Sequence, residues 1–370
     1  MAEPSTEHGP SGASPVAGPL IVSGDEELIE RLLRLCAGAG AEPCIQRGTP
    51  PARAQWESAP LVVVGDDLAD RCTDLPRRGG VLLIGRDLDD CEVWMRAVGI
   101  GADHVLFLPD AESWLLDRIA DTAEGVGAHA LTVAVVGGRG GAGASTLACA
   151  LAVTAAREGH RTMLIDGDPL GGGLDVLLGA EGATGLRWPD LAGSRGRVNG
   201  NELEKALPSL HRMTALSWDR SDTLTIPPEA MRSVLAAARR RGGLVVIDLP
   251  RHLDPAAAEA LEQADTGLLV VPAELRAMAA AGRVAAAVRM RLSDLRAVVR
   301  GPGCAGLGAE EIARGLRLPL AGELVGEPGL TTDVERGTPP GLRDTGPLAR
   351  FCSAFLARAV PPATGRGAAV

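Results

Sequence analysis

The sequence predicts an α/β protein built from two doubly wound domains, each with a mostly parallel sheet. Five short aliphatic strands alternate with helical segments over residues 19–120, a pattern typical of parallel sheets. A strand, a glycine-rich loop and an apolar helix follow one another directly over residues 131–147, and further aliphatic strands alternate with helices up to residue 360. With 370 residues, the chain is long enough for two domains that each have a core.

Composition narrows the class of protein. Hydrophobic residues make up 46% of the chain, yet Tyr is absent and Phe occurs 3 times, so Ala, Val, Leu and Ile must form the cores. The net charge of -10 argues against a general nucleic-acid binder, and we expect no specific nucleic-acid partner. The 7 cysteines are scattered without a CxxC pair. This is typical of reduced thiols in a cytoplasmic protein, with metal or disulfide use as the less favoured alternative.

Three segments lie outside the two predicted domains. Residues 1–18 have the composition of a disordered lead, residues 121–130 that of a linker and residues 361–370 that of a loose tail. No apolar run reaches the roughly 18 residues of a spanning helix, and the N-terminus does not resemble a signal peptide. We therefore expect a cytoplasmic protein, at most peripheral to a membrane. The amphipathic segment LARFCSAFLARAV is assigned to covering a sheet, with membrane contact as the alternative.

The first domain contains the strand segments LIVSGD, EPCIQ, LVVVGDD, VLLIGRD and HVLFLPD. It resembles a response-regulator receiver domain. In that family paired acids follow the first strand, a phosphate-accepting Asp follows the third and a Lys follows the fifth. Asp25, Glu26 and Asp66 match the acids, whereas Leu108 stands at the lysine position. Without that charge, the resemblance implies a pseudo-receiver used for docking rather than for phosphorylation. Asp25 alternatively fits a helix N-cap.

The loop that begins the second domain has the composition of a phosphate-binding loop. Glycines at positions 138, 140, 141 and 143 allow backbone amides to turn toward an anion, and the next helix adds its N-terminal dipole. A glycine-rich turn without a ligand is the alternative. An ordinary Walker A motif places Lys before Ser145, but Ala144 stands there. The single lysine of the chain, Lys205, is distant in sequence.

The segment RGGAGAST, residues 139–146, resembles the deviant Walker A loop, KGGxGK(S/T)T, of the MinD/ParA family of ATPases. In that family a signature lysine reaches across a dimer to the partner's nucleotide. Arg139 occupies its position, where a guanidinium meets phosphate oxygens bidentately. The resemblance implies ATP, Mg²⁺ and a nucleotide-dependent homodimer. Together with the segment GLLVVPAEL, which flanks the adenine in relatives, it gives as nucleotide-binding residues Gly138, Arg139, Gly140, Gly141, Ala142, Gly143, Ala144, Ser145, Thr146, Pro272 and Glu274.

Aspartates end two further aliphatic strands. RTMLIDGDP resembles the family's switch I, which implies that Asp168 holds the attacking water and that Asp166 lies near the magnesium. A structural DGDP turn is the alternative. GLVVIDLPR places Asp248 like the Walker B acid, which holds Mg²⁺ together with the Ser145 hydroxyl. Carboxylates at the carboxyl ends of parallel strands face the crevice where such sheets bind ligands. Arg300 stands where relatives often carry a base-reading Asn, so adenine specificity is in doubt.

The family-like segments occur in order over residues 131–360, behind a receiver-like domain. This arrangement most resembles the CpaE-like actinobacterial group, which includes septum-site-determining proteins and relatives of the pilus-localising TadZ/CpaE proteins. The resemblance implies a positioning protein that determines or inhibits septum formation, at the septum or pole, with cell-division proteins as partners. Localisation of a pilus or secretion machine, with its proteins as partners, is the alternative, and ParA-like partitioning is a weaker one.

Two kinds of activity remain open from the sequence. A slow ATPase switch would use Asp168, Ser145 and Asp248, whereas a nucleotide-binding or empty scaffold would act through its surfaces. Ala144 favours the scaffold or a very slow enzyme, because the lysine that normally contacts the phosphates is missing. In residues 181–227, Trp188 and Trp218 fit either an interface or a core position.

Overall fold

The computed structural model describes residues 18–123, 129–193, 198–301 and 308–360. The chain separates into two compact units, residues 1–126 and 127–370. The boundary between them falls within residues 121–130, of which 124–128 lie outside the described residues, as do most of the predicted lead and the whole predicted tail.

The N-terminal unit is a five-stranded parallel sheet in the order β2-β1-β3-β4-β5. This is the strand order of doubly wound flavodoxin-like folds, so the predicted fold of this domain is confirmed. Its elements are β1 (Leu20–Val22), α1 (Glu26–Gly38), β2 (Cys44–Gln46), α2 (Arg53–Ser58), β3 (Val62–Gly65), a 3₁₀ helix (Ala69–Cys72), β4 (Val81–Gly85), α3 (Glu92–Ile100), β5 (His104–Phe107) and α4 (Glu112–Ala123).

The acids at the strand ends of this unit are already engaged. Asp25 caps α1, accepting hydrogen bonds from the amides of Glu27 and Leu28 at 3.0 and 3.2 Å, as the N-cap alternative predicted. Asp66 forms a bidentate pair with Arg96, with Nε–Oδ1 and Nη2–Oδ2 distances of 2.5 and 3.1 Å. Both side chains of that pair are largely buried. Arg96 therefore ties α3 to the end of β3 at the position where a receiver would carry its phosphate acceptor.

The C-terminal unit is an eight-stranded sheet in the order β13-β12-β11-β6-β10-β7-β9-β8, parallel except for the β8–β9 pair. Its strands are β6 (Leu131–Gly137), β7 (Thr162–Asp166), β8 (Ser209–Leu210), β9 (Met213–Leu216), β10 (Leu244–Leu249), β11 (Thr266–Pro272), β12 (Leu295–Gly301) and β13 (Leu320–Val325). Its helices are α5 (Ala144–Arg157), α6 (Leu174–Leu177), α7 (Trp188–Ala192), α8 (Gly200–Ala206), α9 (Pro228–Arg240), α10 (Pro255–Gln263), α11 (Leu275–Arg289), α12 (Ala309–Leu316), α13 (Leu330–Glu335) and α14 (Pro347–Ala359).

The strand order brings the predicted site residues to one edge of this sheet. β6 lies between β11 and β10, and β7 follows β10. In the parallel register Asp248 is the partner of both Val135 on β6 and Asp166 on β7. The connection from β10 to β11 crosses to the other side of β6 and so creates the crevice in which open α/β sheets bind ligands. The glycine-rich loop after β6 therefore stands next to both aspartates.

Small side chains allow α5 to lie deep in this unit. All residues from Leu147 to Ala156 are buried, and half of them are alanine, so the helix backbone approaches the sheet closely. The apolar side of α14, including Phe355 and Leu356, packs against α5 and belongs to the same core. The helix predicted from LARFCSAFLARAV therefore buries its apolar side within the protein. Within the described ranges, no helix is long and apolar enough to cross a bilayer.

The two tryptophans left open by the sequence are core residues. Trp188 and Trp218 are both buried, and their ring centroids are 6.4 Å apart. The indole nitrogen of Trp188 donates a hydrogen bond to the backbone oxygen of Asp166 at 2.6 Å. The two rings thus pack at the end of β7 within the protein core, which favours the core alternative for these tryptophans.

Candidate functional site

The loop between β6 and α5 is fixed by its surroundings. The Gly138 amide donates to the Val270 oxygen on β11 at 2.9 Å, and a Cβ atom on Gly138 would come within 2.8 Å of the Ala281 Cβ atom. Gly143 has φ of +98° and is the N-cap of α5, a conformation that favours glycine. Gly140 and Gly141 lie between them, and Ala142 is buried. The loop therefore presents backbone amides at the start of a long helix, which is an arrangement that attracts anions.

Neither residue of the loop that would carry a positive charge toward phosphates in relatives does so here. Ala144 is the first residue of α5 and carries no charge. The Arg139 guanidinium pairs with the Glu274 carboxylate, with Nη2–Oε1 and Nη2–Oε2 distances of 3.0 and 3.1 Å. Glu274 is the N-cap residue of α11, so both ends of this ion pair belong to the same chain. Arg139 is thus held at the rim of the loop by its own subunit.

Asp248 is the most strongly perturbed acid of the site. Its side chain is 3% exposed and accepts a hydrogen bond from the Ser145 hydroxyl at the start of α5. The pKa of Asp248 is raised from 3.8 to about 8, mainly by burial and in smaller part by the charges of Asp166 and Asp168, while the hydrogen bond from Ser145 opposes the shift. A buried carboxylate with one hydroxyl donor is short of positive charge.

Asp166 is also buried but is better supplied with donors. Its carboxylate accepts from the Leu174 amide at 2.9 Å, the Ser217 hydroxyl at 3.0 Å and the Asp168 amide at 3.2 Å. Burial raises its pKa to about 6, and these hydrogen bonds partly oppose that shift. Ser217 was not found from the sequence, because nothing in the local pattern LSWDRSD marks a serine that reaches β7.

Asp168 lies two residues beyond the end of β7 and is half-buried. Its Oδ1 atom accepts a hydrogen bond from the Leu170 amide at 3.0 Å, which closes a local turn of the kind that Asp commonly makes. Asp166, Asp168 and Asp248 therefore come together at one edge of the sheet, beside Ser145.

These residues fit a magnesium ion that completes its coordination with water and phosphate. Mg²⁺ prefers hard oxygen ligands, and it usually binds one or two carboxylates while retaining several waters. Ser145 and Asp248 supply such oxygens, and a cation there would remove the penalty that raises the pKa of Asp248. The described part of the chain contains no group of three or more His, Cys, Asp or Glu side chains arranged to hold a metal. A complete all-protein metal cage is thus absent from these residues.

An open cavity of about 270 Å³ adjoins the other side of the loop. The loop and α5 contribute Gly143, Thr146 and Leu147, the end of β12 contributes Arg300, and residues around β13 and α13 include Glu327. Pro272 is buried and is the register partner of Arg300 on the neighbouring strand. Glu274 lies against Arg139 instead of among the lining residues of this cavity. The roles of Pro272 and Glu274 toward a base therefore stay predictions.

Family models match both parts of the chain. Residues 22–130 match the model described as Rv3660c-like, CheY-like N-terminal domain. Residues 133–294 match the CobQ/CobB/MinD/ParA nucleotide binding domain. The second match contains the loop, the three aspartates and the pair formed by Arg139 and Glu274.

Relatives and solved structures agree with this division. The Mycobacterium tuberculosis protein Rv3660c is 39% identical over 325 residues, which are 86% of this chain and 91% of that protein. The Bacillus subtilis septum site-determining protein MinD is 25% identical over 157 residues, covering 41% of this chain and 57% of MinD. A ParA family ATPase from Chlorobium tepidum superposes with a TM-score of 0.56 at 15% identity, covering 62% of this chain and 98% of that one. MinD of Pyrococcus horikoshii complexed with Mg-ADP superposes with a TM-score of 0.52 at 19% identity, covering 62% of this chain and 96% of that MinD chain. At such identities the structural matches establish the fold alone.

The loop, the aspartates at the strand ends and the sheet order define a nucleotide-binding domain of the MinD/ParA class, preceded by a CheY-like domain. The extent of the match to the mycobacterial protein is more specific than this class. The chain belongs to the Rv3660c-like family.

Proposed function

We propose that this protein is a positioning protein that binds a nucleoside triphosphate with Mg²⁺ and hydrolyses it very slowly or not at all. The observation that carries the proposal is the hydrogen bond between Ser145 and the buried Asp248 at the start of α5, beside an amide-lined loop that has Ala144 in place of lysine. The loop and the helix N-terminus attract phosphates without a lysine. The resemblance to MinD and ParA proteins predicts that the nucleotide is ATP. Arg300 lines the neighbouring cavity and could affect which base the site prefers.

The weak turnover follows from electrostatics. When bound, Mg²⁺ offsets charge on the phosphate oxygens. Ser145 and Asp248 would hold the ion, Asp166 would support the site from β7, and Asp168 would orient the attacking water. Losing one preorganised charge contact in a transition state costs about 3–4 kcal/mol, or two to three decades in rate. Ala144 supplies no such contact, whereas ground-state binding retains the amides and the helix dipole. A nucleotide-loaded scaffold is therefore the functional state favoured here.

The cellular role proposed is septum-site determination or inhibition of septum formation. The supporting observation is the similarity to proteins described as septum site-determining, from Bacillus subtilis and from Synechocystis, the latter 27% identical over 153 residues. The ion-paired acids of the CheY-like domain favour a docking role for that domain over phosphorylation. A structure described as a MinC:MinD cell division protein complex, from Aquifex aeolicus, has the same fold with a TM-score of 0.51. Localisation of a pilus or secretion machine is the competing role.

Calorimetric titration of the purified full chain tests the biochemical part. We expect triphosphate nucleotides to bind in the micromolar range or tighter, with affinity increased by Mg²⁺. Ser145→Ala should abolish the Mg²⁺-dependent gain while leaving Mg²⁺-free binding largely unchanged. Thr332→Ala, which removes an exposed hydroxyl on α13, is the matched control. Absence of binding to any triphosphate at millimolar concentration would rule out the proposal.

The cellular role is tested by fluorescence microscopy of a tagged chain expressed at its natural level, together with a deletion strain. Septum determination predicts septal or polar foci and misplaced or additional septa in the deletion strain. Correctly placed septa combined with loss of surface pili or of a secreted product would favour the competing role.

A further inference from the structure

The side chain of Arg300 lines an open cavity in the C-terminal unit. Its Nη1 atom lies 3.4 Å from the position that a Cβ atom would take on Gly143, and its Cδ atom lies 4.0 Å from that position. It lines the cavity of about 270 Å³ beside Thr146 and Leu147. Among the described residues, no hydrogen bond or ion pair engages this guanidinium. A half-buried arginine that is left without a partner in a cavity is available to bind a ligand.

The position of the cavity identifies which part of a nucleotide enters it. Phosphates are attracted by the amides of the loop and the first turn of α5, which begins at Ala144. The cavity starts at Gly143 and continues beside the first turns of α5 toward the ends of β12 and β13. Its volume exceeds the roughly 150 Å³ that accommodates a benzene ring. A nucleotide whose phosphates lie on the loop therefore has its base in reach of this cavity.

The hydrogen-bonding capacity of Arg300 restricts which base fits. A guanidinium has only donors, arranged as a rigid fork. Guanine presents two neighbouring acceptors, O6 and N7, which match that fork, whereas adenine presents N7 next to the N6 amino donor and is matched instead by Asn or Gln. Against adenine, one arm of the fork would always meet a donor. A guanidinium placed against that edge of adenine therefore makes one hydrogen bond where guanine accepts two, which lowers the affinity for adenine.

A second residue of the cavity has the complementary capacity. Glu327 follows β13, the strand next to β12, and also lines the cavity. Its Oε2 atom accepts from the Leu348 amide at 2.9 Å at the start of α14, so the carboxylate is held in place. A carboxylate has only acceptors, and guanine carries donors at N1 and at the 2-amino group.

We propose that Arg300 makes this nucleotide site prefer guanine over adenine, with Glu327 as the acceptor for the guanine donors. The inference rests on the proposed function, because it concerns the base of the nucleotide whose phosphates the loop binds. It changes the expected ligand from ATP to GTP or GDP.

Calorimetric titration of the full chain with GDP, ADP and IDP in the presence of Mg²⁺ tests the inference. We expect GDP to bind at least about tenfold more tightly than ADP, which is near the lower end of the discrimination that one bidentate arginine–guanine contact supplies. IDP retains O6 and N7 but lacks the 2-amino group, so its affinity should lie closer to that of GDP than to that of ADP. Arg300→Asn should reverse the preference. Arg296→Asn on the same strand, where the arginine pairs with Asp294, is the matched control.

The possible results separate this inference from the proposed function. If the natural protein binds ADP as tightly as GDP or more tightly, the guanine preference is wrong and nucleotide binding stands. If Arg300→Asn leaves the ratio of GDP to ADP affinities unchanged, Arg300 does not read the base and the inference is also overturned. If neither diphosphate nor any triphosphate binds, the proposed function fails and the base preference fails with it.

Discussion

A single residue at the start of α5 separates this protein from ordinary P-loop enzymes. Ala144 occupies the first helical position, directly after the left-handed Gly143. The loop packing, the Ser145–Asp248 hydrogen bond and the acids on β7 all fit the phosphate and magnesium site proposed above. The deficiency in the site is therefore one positive charge, and a charge can be restored by substitution.

Ala144→Lys should raise nucleotide hydrolysis, because the new ammonium reaches the phosphates from the first turn of α5. The gain should be as large as two to three decades if the rest of the site is complete. Steady-state phosphate release, measured with Mg²⁺ and both ATP and GTP, provides the readout. Asp168→Ala in the Ala144→Lys background should abolish the gain.

Ala286→Lys, on the exposed side of α11, is the control for added charge and should leave turnover unchanged. A natural protein that already turns over about once per second, a rate of ordinary enzymes, would contradict the expectation, since Arg139 or another arginine would then have replaced the lysine.

The raised pKa of Asp248 predicts that the stability of the metal-free protein depends on pH. Its pKa is about 8 in the folded state and 3.8 as an ordinary carboxyl, so between these values the folded protein binds more protons than the unfolded one. The stability that protonation of Asp248 contributes is fully present below about pH 4 and is lost as the pH rises through about 8. Without Mg²⁺ and nucleotide, Asp248→Asn should weaken this decline in the free energy of unfolding.

Thermal unfolding of the metal-free protein at pH 5, 6.5 and 8 measures the effect. At pH 8 we expect Asp248→Asn to stabilise by at least about 1 kcal/mol, which corresponds to a rise in Tm of about 2–4 °C in a unit of this size. Asp344→Asn at an exposed position controls for the removal of one negative charge. A variant less stable than the natural protein at every pH would indicate that Asp248 is ionised and favourably solvated in the free protein.

At the scale of elements, the end of β3 and the helix α3 decide what the N-terminal unit does. In a working receiver the acidic cluster at the strand ends is free to accept a phosphoryl group and a metal. Here Arg96 on α3 binds Asp66 in bidentate fashion and also contacts Asp90, while Arg86 lies 3.1 Å from Asp25. These ion pairs hold Arg86 and Arg96 against the acids. Both arginine side chains would have to move before the acids could bind a phosphoryl group or a metal ion.

We therefore expect no stable phosphorylation of the N-terminal unit. Leu108 removes the lysine that would hold a phosphoryl group, and the Arg96 pair lowers the availability of the Asp66 carboxylate as a nucleophile. Incubation of the full chain with acetyl phosphate and Mg²⁺, followed by intact mass spectrometry, is the measurement, with a phosphorylatable receiver protein as the positive control. A single phosphate that persists on Asp66 or a neighbouring acid would overturn the pseudo-receiver interpretation.

For the whole molecule, we expect dimer assembly to depend on which group the Arg139 guanidinium contacts. Within one chain its guanidinium pairs with Glu274, and this pair is partly exposed, so solvent screening keeps its contribution small. In a nucleotide-bound dimer the same side chain would exchange that carboxylate for phosphate oxygens of the partner subunit. The dimer should therefore be assembled only with nucleotide.

Arg139→Ala should lower the dimer fraction measured by light scattering with Mg²⁺ and ATP or GTP, because it removes the bridging charge. Glu274→Gln should leave that fraction unchanged or raise it, since it releases Arg139. Arg289→Ala, at the exposed far end of α11, is the control. A dimer fraction that is insensitive to Arg139→Ala, or that forms equally without nucleotide, would show that the interface lies elsewhere.

Local patterns along the chain predict the separate parts of this protein, whereas the contacts between those parts depend on the tertiary fold. The two α/β patterns, the loop of residues 138–143 and the aspartates at the ends of β7 and β10 were all predictable, because they depend on strand periodicity and on residue types next to one another in the chain. The burial of Trp188 and Trp218, the Ser217 donor to Asp166 and the partners of Arg139 and Arg96 were not predictable. Each of these contacts joins residues far apart in sequence, so it depends on strand order and helix packing. The raised pKa of Asp248 was not predictable either, because it results mainly from burial and the side chain is buried only in the folded sheet.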